Sequence, residues 1–115
     1  QEIPKVNAQS LLKDAITVMN DRSVGFTAVI DEKNKPIGIL TDGDLRRALI
    51  NHKTINSSVS DCMTKDPITM KSNQLAIDAV NIMENLKVNG FLVVNENDEL
   101  IGIFNLHDLL KAKVI

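Results

Sequence analysis

The segments DEKNKPIGIL, residues 31–40, and NENDELIGIF, residues 95–104, are two versions of one pattern set 64 residues apart. At this offset residues 14–48 align with residues 78–112 without a gap, and twelve of the 35 positions are identical. The identical residues, named from the first copy, are Asp14, Ala15, Met19, Val24, Val29, Glu32, Ile37, Gly38, Ile39, Asp44, Leu45 and Ala48. A match of this length predicts two copies of one supersecondary unit.

Each copy begins with a short extended segment and an amphipathic helix. In the extended segment Pro4 matches Pro67 at an offset of 63, which predicts that one residue was inserted or lost there. The apolar positions spaced i, i+3, i+4 and i+7 are Leu12, Ala15, Ile16 and Met19 in the first copy and Ala76, Ala79, Val80 and Met83 in the second. Ser10 and either Ser72 or Asn73 are the predicted N-caps of these helices.

A β-hairpin follows the first helix of each copy. The apolar strands FTAVI and FLVV lead through the polar loops DEKNK and NENDE into second strands, PIGIL and LIGIF. A second helix is predicted to start near Asp44 in the first copy and near Asp108 in the second. The predicted unit is therefore β-α-β-β-α.

The predicted fold class is α/β, of the α+β kind, built from two such units. One copy of about 50 residues would be only marginally stable alone. We therefore expect the two copies to pack sheet to sheet about a pseudo-twofold axis. The copies are predicted at residues 1–57 and 58–115, with residues 51–66 as the connector, and Met19 and Met83 are expected in the core.

Composition excludes several classes of function. The net charge is -2, and three Phe with no Trp or Tyr argue against a nucleic-acid binder. The apolar runs are too short for a membrane span, and no leader is expected. Cys62 is the only cysteine, so no internal disulfide can form, and a reducing, cytoplasmic location is expected. His52 and His107 are the only histidines, which leaves no metal site of recognisable spacing and no predicted catalytic residues.

The polar turn after the second strand of the first copy admits two interpretations. Thr41 and Asp44 have the spacing of a capping box, and two acids suit the first turn of a helix. Asn105 and Asp108 repeat this spacing in the second copy, so capping alone explains both. The same helix start would also offer free N–H groups to a phosphate, and its carboxylates would accept hydrogen bonds from ribose hydroxyls. That geometry suits a nucleotide.

These residues resemble a known family. The pattern Gly-apolar-apolar-Ser/Thr-x-x-Asp, here GILTDGD at residues 38–44, together with the earlier ITVMND and AVID segments, resembles the CBS domain. Two in tandem resemble a CBS pair, or Bateman module. The resemblance implies a regulatory module with two clefts between the repeats, which in many members bind adenosine or related nucleotides. It implies that Thr41 is a phosphate-side hydroxyl and that Asp44 and Asp108 are ribose-binding carboxylates. Asn105 departs from the family's Ser/Thr.

A narrower resemblance covers the whole chain. EIPKV, GILTDGDLRRAL and LHDLLKAKVI are similar to the C-terminal CBS pair of KpsF/GutQ-type arabinose-5-phosphate isomerases. The resemblance implies a parent enzyme whose N-terminal sugar-isomerase (SIS) domain, absent from this chain, converts D-ribulose 5-phosphate to D-arabinose 5-phosphate for Kdo and lipopolysaccharide synthesis. It implies a homo-oligomer in which this module contacts that domain.

Two functions remain open at this point. In the first, Thr41, Asp42 and Asp44 belong to a nucleotide site, and further ligand-binding residues are Arg46, Arg47, Lys87, Asn105, His107 and Asp108. No cofactor is required, and the ligands considered are AMP, ATP and the nucleotide sugar CMP-Kdo. The arginines could equally be a solvated helix face, and His107 a helix cap. In the second function, the module binds no ligand and oligomerises the parent enzyme.

Overall fold

The computed structural model describes residues 3–22, 25–74, 81 and 90–105, and it divides the chain into two units, Gln1–Pro67 and Ile68–Ile115. The first unit includes residues 58–67, which the repeat had placed in the second copy. Two contacts explain the difference. Val59 is fully buried in the first core, and the short strand Thr64–Lys65 pairs with a strand of the first copy.

The described part of the first unit forms a four-stranded sheet of order β1-β2-β3-β4. Its strands are β1 (Lys5–Asn7), β2 (Phe26–Ile30), β3 (Pro36–Thr41) and β4 (Thr64–Lys65). Helix α1 (Leu12–Arg22) connects β1 to the parallel strand β2, while β3 is antiparallel to both of its neighbours. Helix α2 (Asp42–Ile50) follows β3, and a 3₁₀ turn (Val59–Asp61) precedes β4. The predicted order β-α-β-β-α is confirmed for this copy.

The described residues of the second unit repeat this pairing. Strands β5 (Thr69–Lys71), β6 (Gly90–Val94) and β7 (Leu100–Asn105) form a sheet of order β5-β6-β7, with β5 parallel and β7 antiparallel to β6. Both hairpins carry a bulge, between Val29 and Ile30 and between Val93 and Val94. Residues 72–74 are helical, and the other predicted helical positions, including Met83, lie outside the described residues.

The offset of 64 residues between the two copies also holds for the first strand of each copy. Lys5 pairs with Ala28, and Thr69 pairs with Leu92. The Pro4 carbonyl accepts a hydrogen bond from the Ala28 N–H at 3.0 Å, and the Ile68 carbonyl accepts one from the Leu92 N–H at 3.0 Å. Pro4 therefore corresponds to Ile68, and the inserted or lost residue predicted from Pro67 is wrong. Strand pairing fixes the register, whereas one shared proline does not.

The N-cap predictions for the first helices are also wrong. Helix α1 begins at Leu12, and the N–H of the preceding Leu11 donates to Asp14 Oδ2 at 3.2 Å. Ser10 Oγ instead accepts from the Asn7 N–H at 3.3 Å. An isolated bridge to Ser58 holds Leu11 in extended conformation, so the helix cannot begin earlier.

In the second copy the helix already includes residues 72 and 73, which the sequence had offered as its N-caps. The Lys71 N–H donates to Gln74 Oε1 at 3.1 Å. A side chain at the third helical position thus fulfils the same function as Asp14 in the first copy.

The two hairpin loops are built identically, as the repeat predicted. Asp31 Oδ1 accepts from the Lys33 and Lys35 N–H groups at 2.8 and 2.9 Å. In the second copy Asn95 Oδ1 accepts from the N–H groups of the residues two and four positions later at 2.9 and 3.0 Å. Both are turns closed by the side chain of their first residue. The hydrogen bond from the Lys35 N–H is the largest cause that lowers the pKa of Asp31 below its ordinary value.

The first core lies between α1, α2 and the sheet. Its buried members are Val6, Leu12, Ala15, Met19, Val29, Leu40, Ala48 and Val59. Met19 is buried as predicted, whereas Ile16, on the same predicted apolar face, is 38% exposed. Cys62 packs partly against this core, and burial raises the pKa of its thiol.

The second described core contains Met70, Phe91 and Val93. The Phe91 and Phe104 rings stack with centroids 5.4 Å apart. Within the described residues, no helix is long and apolar enough to cross a membrane.

Candidate functional site

The turn between β3 and α2 positions the candidate site. Strand β3 ends at Thr41 in extended conformation (φ -111°, ψ 169°), and α2 begins at Asp42, the next residue. The Asp42 N–H donates to the Gly25 carbonyl at 3.1 Å, which ties the turn to the chain entering β2. The turn is therefore held on both sides: by the helix that it starts and by the neighbouring strand.

A capping box closes this turn, as the spacing of Thr41 and Asp44 predicted. Thr41 Oγ1 accepts from the Asp44 N–H at 3.1 Å, and Asp44 Oδ2 accepts from the Thr41 N–H at 2.9 Å. The Thr41 hydroxyl lies 3.1 Å from the same carboxylate oxygen and donates to it. These reciprocal bonds satisfy N–H groups that a helix start otherwise leaves without partners.

Asp44 is the buried acid of the site, with 3% exposure. Its second oxygen, Oδ1, accepts from Arg47 Nη2 and from the Thr64 hydroxyl, the latter at 2.8 Å. A buried carboxylate is costly unless it is paired and hydrogen-bonded, and here both oxygens are satisfied. The positive partner is the half-solvated Arg47, whose side chain is 65% exposed.

Thr64 is the site residue that sequence reasoning missed. It lies 20 positions after Asp44, in the predicted connector, and no short spacing links the two. The pairing of β4 with β3, in which Thr64 lies opposite Ile39, brings its hydroxyl to the carboxylate. Gly38 permits this approach, because a Cβ added there would lie 2.5 Å from Met63 Sδ and 3.0 Å from the Thr64 carbonyl oxygen.

Two arginine side chains reach back over the first turn of α2. A Cβ added at Gly43 would lie 3.5 Å from Arg47 Nη1 and 3.8 Å from Arg46 Nη2, so both guanidinium groups flank this glycine. Helical side chains lean toward the N-terminus of their helix, which explains the direction. Asp42 is exposed, and its carboxylate lies toward Gly25. The structure thus brings the five predicted residues of the first copy together at one turn.

The predicted residues of the second copy are described only in part. Asn105 ends β7 opposite Gly90, while Lys87, His107 and Asp108 lie outside the described residues. Over the described ranges, the structure has no group of three or more His, Cys, Asp or Glu side chains arranged to hold a metal ion.

Comparison with known proteins supports the resemblance seen in the sequence. The family model for the CBS domain matches residues 1–51 and, a second time, residues 59–115. The arabinose 5-phosphate isomerase KdsD of Yersinia pestis is 37% identical over 115 residues, which are 99% of this chain and 35% of that protein. The arabinose 5-phosphate isomerase GutQ of Salmonella typhi is 36% identical over 113 residues, or 98% of this chain and 35% of that protein. The predicted similarity to a CBS pair of this enzyme class is confirmed.

The chain spans about a third of the length of these curated relatives. Among solved structures, a CBS domain protein from Pyrobaculum aerophilum complexed with AMP superposes with a TM-score of 0.83 at 18% identity. The superposition covers 100% of this chain and 94% of that one. At this identity the likeness establishes the fold.

Proposed function

Because the chain belongs to the CBS domain family, in two tandem copies, we propose that it is a regulatory module that binds a nucleotide at the turn between β3 and α2. The observation that carries the proposal is the carboxylate of Asp44, which is 3% exposed, lies at a helix start and contacts the Thr41 hydroxyl and the Arg47 guanidinium. A nucleotide offers a partner for each of these groups.

Each part of a nucleotide has a matching group. A ribose presents two neighbouring hydroxyls, and a carboxylate can accept a hydrogen bond from each. A phosphate suits the N–H groups and partial positive charge of the α2 start, with Arg46 and Arg47 beside it. The exposed carboxylate of Asp42 repels phosphate. Since Asp42 lies toward Gly25, we place the phosphate on the opposite side, near Gly43.

The ligand is proposed to be AMP, ATP or CMP-Kdo. The structural neighbour from Pyrobaculum aerophilum was solved with AMP. CMP-Kdo combines ribose, phosphate and a further carboxylate, and two arginine forks can serve both acidic groups. The second copy would contribute Lys87, Asn105, His107 and Asp108 to a second site.

We further propose that this module regulates an arabinose-5-phosphate isomerase. The curated relatives are such enzymes, and this chain matches about a third of their length. The isomerisation of D-ribulose 5-phosphate to D-arabinose 5-phosphate would take place in an attached sugar-isomerase domain of a cytoplasmic homo-oligomer. This chain would carry the sensing function and no catalytic residues.

Calorimetric titration tests the sensing proposal. AMP, ATP, CMP and CMP-Kdo are titrated into the chain and into the Asp44→Asn variant, which keeps the shape of the side chain but removes its charge. Heat with at least one of the four, lost or strongly reduced in the variant, supports the proposal. No heat from any of them refutes it for these ligands.

An architectural module is the alternative, and one observation favours it. The carboxylate of Asp44 already accepts hydrogen bonds from groups of the protein at both oxygens, so capping alone accounts for its burial. On this account the module holds the parent enzyme's subunits together. Deleting it would change the sedimentation of the parent enzyme, and Asp44→Asn would leave every ligand response unchanged.

A further inference from the structure

Arg47 and Thr64 donate hydrogen bonds to Asp44 Oδ1 from the positions that the hydroxyls of a bound ligand would take. We propose that Thr64 and Arg47 hold Asp44 in a self-occupied state, and that a ribose binding there displaces the Thr64 hydroxyl and loosens β4. This inference rests on the proposed nucleotide site and adds how its occupancy is transmitted. The output is a change in β4, near the end of the first unit.

Hydrogen-bonding capacity makes displacement necessary. A carboxylate offers about four lone-pair positions. Among the described residues, Asp44 accepts from four donor groups: the Thr41 N–H, the Thr41 hydroxyl, Arg47 and Thr64. A ribose diol brings two more donors, so protein donors must leave for it to bind.

The structure indicates which donors leave. At Oδ2 the bond from the Thr41 N–H belongs to the capping box, and the Thr41 hydroxyl is held beside it by accepting the Asp44 N–H, so displacing these donors would destabilise the start of α2. At Oδ1 the partners come from outside that box. Arg47 has an exposed, flexible side chain, and Thr64 is held by a strand of two residues. The diol would therefore enter at Oδ1, and Arg47 would be freed to meet the phosphate.

Strand β4 couples this exchange to the rest of the chain. Among the described residues it pairs with β3 at Gly38 and Ile39, and the neighbouring Met63 packs partly against the first core, so the Thr64 hydroxyl is one of a few contacts that hold this strand. The second unit begins at Ile68, four positions after Thr64. A ligand that removes the side-chain bond leaves a two-residue edge strand, which is expected to open more often.

The experiment compares AMP affinity in three forms of the chain by calorimetry. Thr64→Val keeps the shape of the side chain and removes the hydroxyl, whereas Thr64→Ser keeps a hydroxyl and serves as the matched control. The inference predicts that Thr64→Val binds AMP about tenfold more tightly, because the ribose no longer competes with a hydrogen bond to a charged group. Thr64→Ser should bind like the original chain.

Amide hydrogen exchange of the unchanged chain gives a second readout that needs no variant. Saturating AMP should accelerate exchange at residues 63–66, and 2′-deoxy-AMP, which lacks one hydroxyl of the diol, should do so less. If Thr64→Val binds AMP equally or more weakly and exchange does not accelerate, the self-occupied state is refuted while the nucleotide site stands. If no form binds AMP, the AMP site itself is refuted together with this inference. Binding by Thr64→Val alone supports the inference.

Discussion

The Asp44→Asn substitution tests how the buried carboxylate stabilises the turn between β3 and α2. Every partner described for Asp44 acts as a donor, whereas an asparagine keeps one oxygen and gains an NH₂ group. The NH₂ cannot replace Oδ2, because the Thr41 N–H cannot accept a hydrogen bond. The NH₂ group will therefore take the place of Oδ1. The Thr64 hydroxyl can rotate and accept a hydrogen bond from it, whereas the Arg47 guanidinium has only donors and loses its partner.

The expected size of the effect follows from these changed contacts. Hydrogen bonds to a charged group contribute about 1.5–3 kcal/mol, against about 1 kcal/mol for neutral pairs. An ion pair with an exposed partner adds about 0–1 kcal/mol, and the Arg47 side chain is 65% exposed. We expect Asp44→Asn to lower the free energy of unfolding by about 2 kcal/mol, and Arg47→Ala to lower it by about 1 kcal/mol or less.

Urea unfolding followed by far-UV circular dichroism is the suitable assay, since the chain has no Trp or Tyr. With a urea slope of about 2 kcal/mol/M, the loss in Asp44→Asn corresponds to a midpoint lower by about 1 M. A double-mutant cycle with Thr64→Val should give a coupling of about 1 kcal/mol between positions 44 and 64. A loss below about 0.5 kcal/mol together with no coupling would refute this account of the buried acid.

Three further predictions concern residues away from that carboxylate. Gly38→Ala should lower the free energy of unfolding by about 1–3 kcal/mol through overpacking. The control Gly102→Ala, where the added Cβ lies 3.9 Å from Val93, should change it by less than about 0.5 kcal/mol, and equal losses would contradict the close approach. The pKa of Asp31 is lowered on folding. Its ionised carboxylate therefore stabilises the folded chain fully above pH 3.8, and this contribution is lost as the pH falls through the lower pKa of the folded state. Asp31→Asn should reduce the loss of stability on acidification, and NMR titration of Asp31 with a midpoint at or above 3.8 would oppose this. Burial raises the pKa of Cys62 above 9.0, so iodoacetamide at pH 8 should alkylate the folded chain more slowly than the urea-unfolded chain, and equal rates would contradict it.

Features encoded over a few residues were predictable from the sequence. The predicted capping box of Thr41 and Asp44 joins groups three positions apart, and the predicted hairpin loop at residues 31–35 is closed by contacts two to four positions apart. Such contacts depend on local geometry alone, and the repeat showed the same residue spacing a second time, 64 positions later. The order of helices and strands in the first copy was predictable for the same reason, because hydrophobic periodicity is also a local property of the sequence.

Features that depend on strand pairing were not predictable. Thr64 reaches Asp44 only because β4 joins the sheet, and the sequence had placed residue 64 in a connector. Ser10 fits an N-cap by residue type, yet the bridge between Leu11 and Ser58 delays the helix. The match of two prolines also failed, because register is set by hydrogen bonds across the sheet. In each case a partner distant in sequence decided the outcome.

Among the described residues, the same glycine has different neighbours in the two copies, and this difference bears on the proposed function. Gly38 and Gly102 are identical positions of the repeat, each next to a bulge in an equivalent hairpin. At Gly38 a side chain would collide with Met63 and Thr64, whereas among the described residues a Cβ at Gly102 meets only Val93, at an ordinary distance. A residue that is identical in the two copies therefore need not be required for the same structural reason in both. In the first copy this glycine admits the strand that carries Thr64 to the buried acid, so the proposed regulatory contact depends on a position that the repeat alone would assign to the fold.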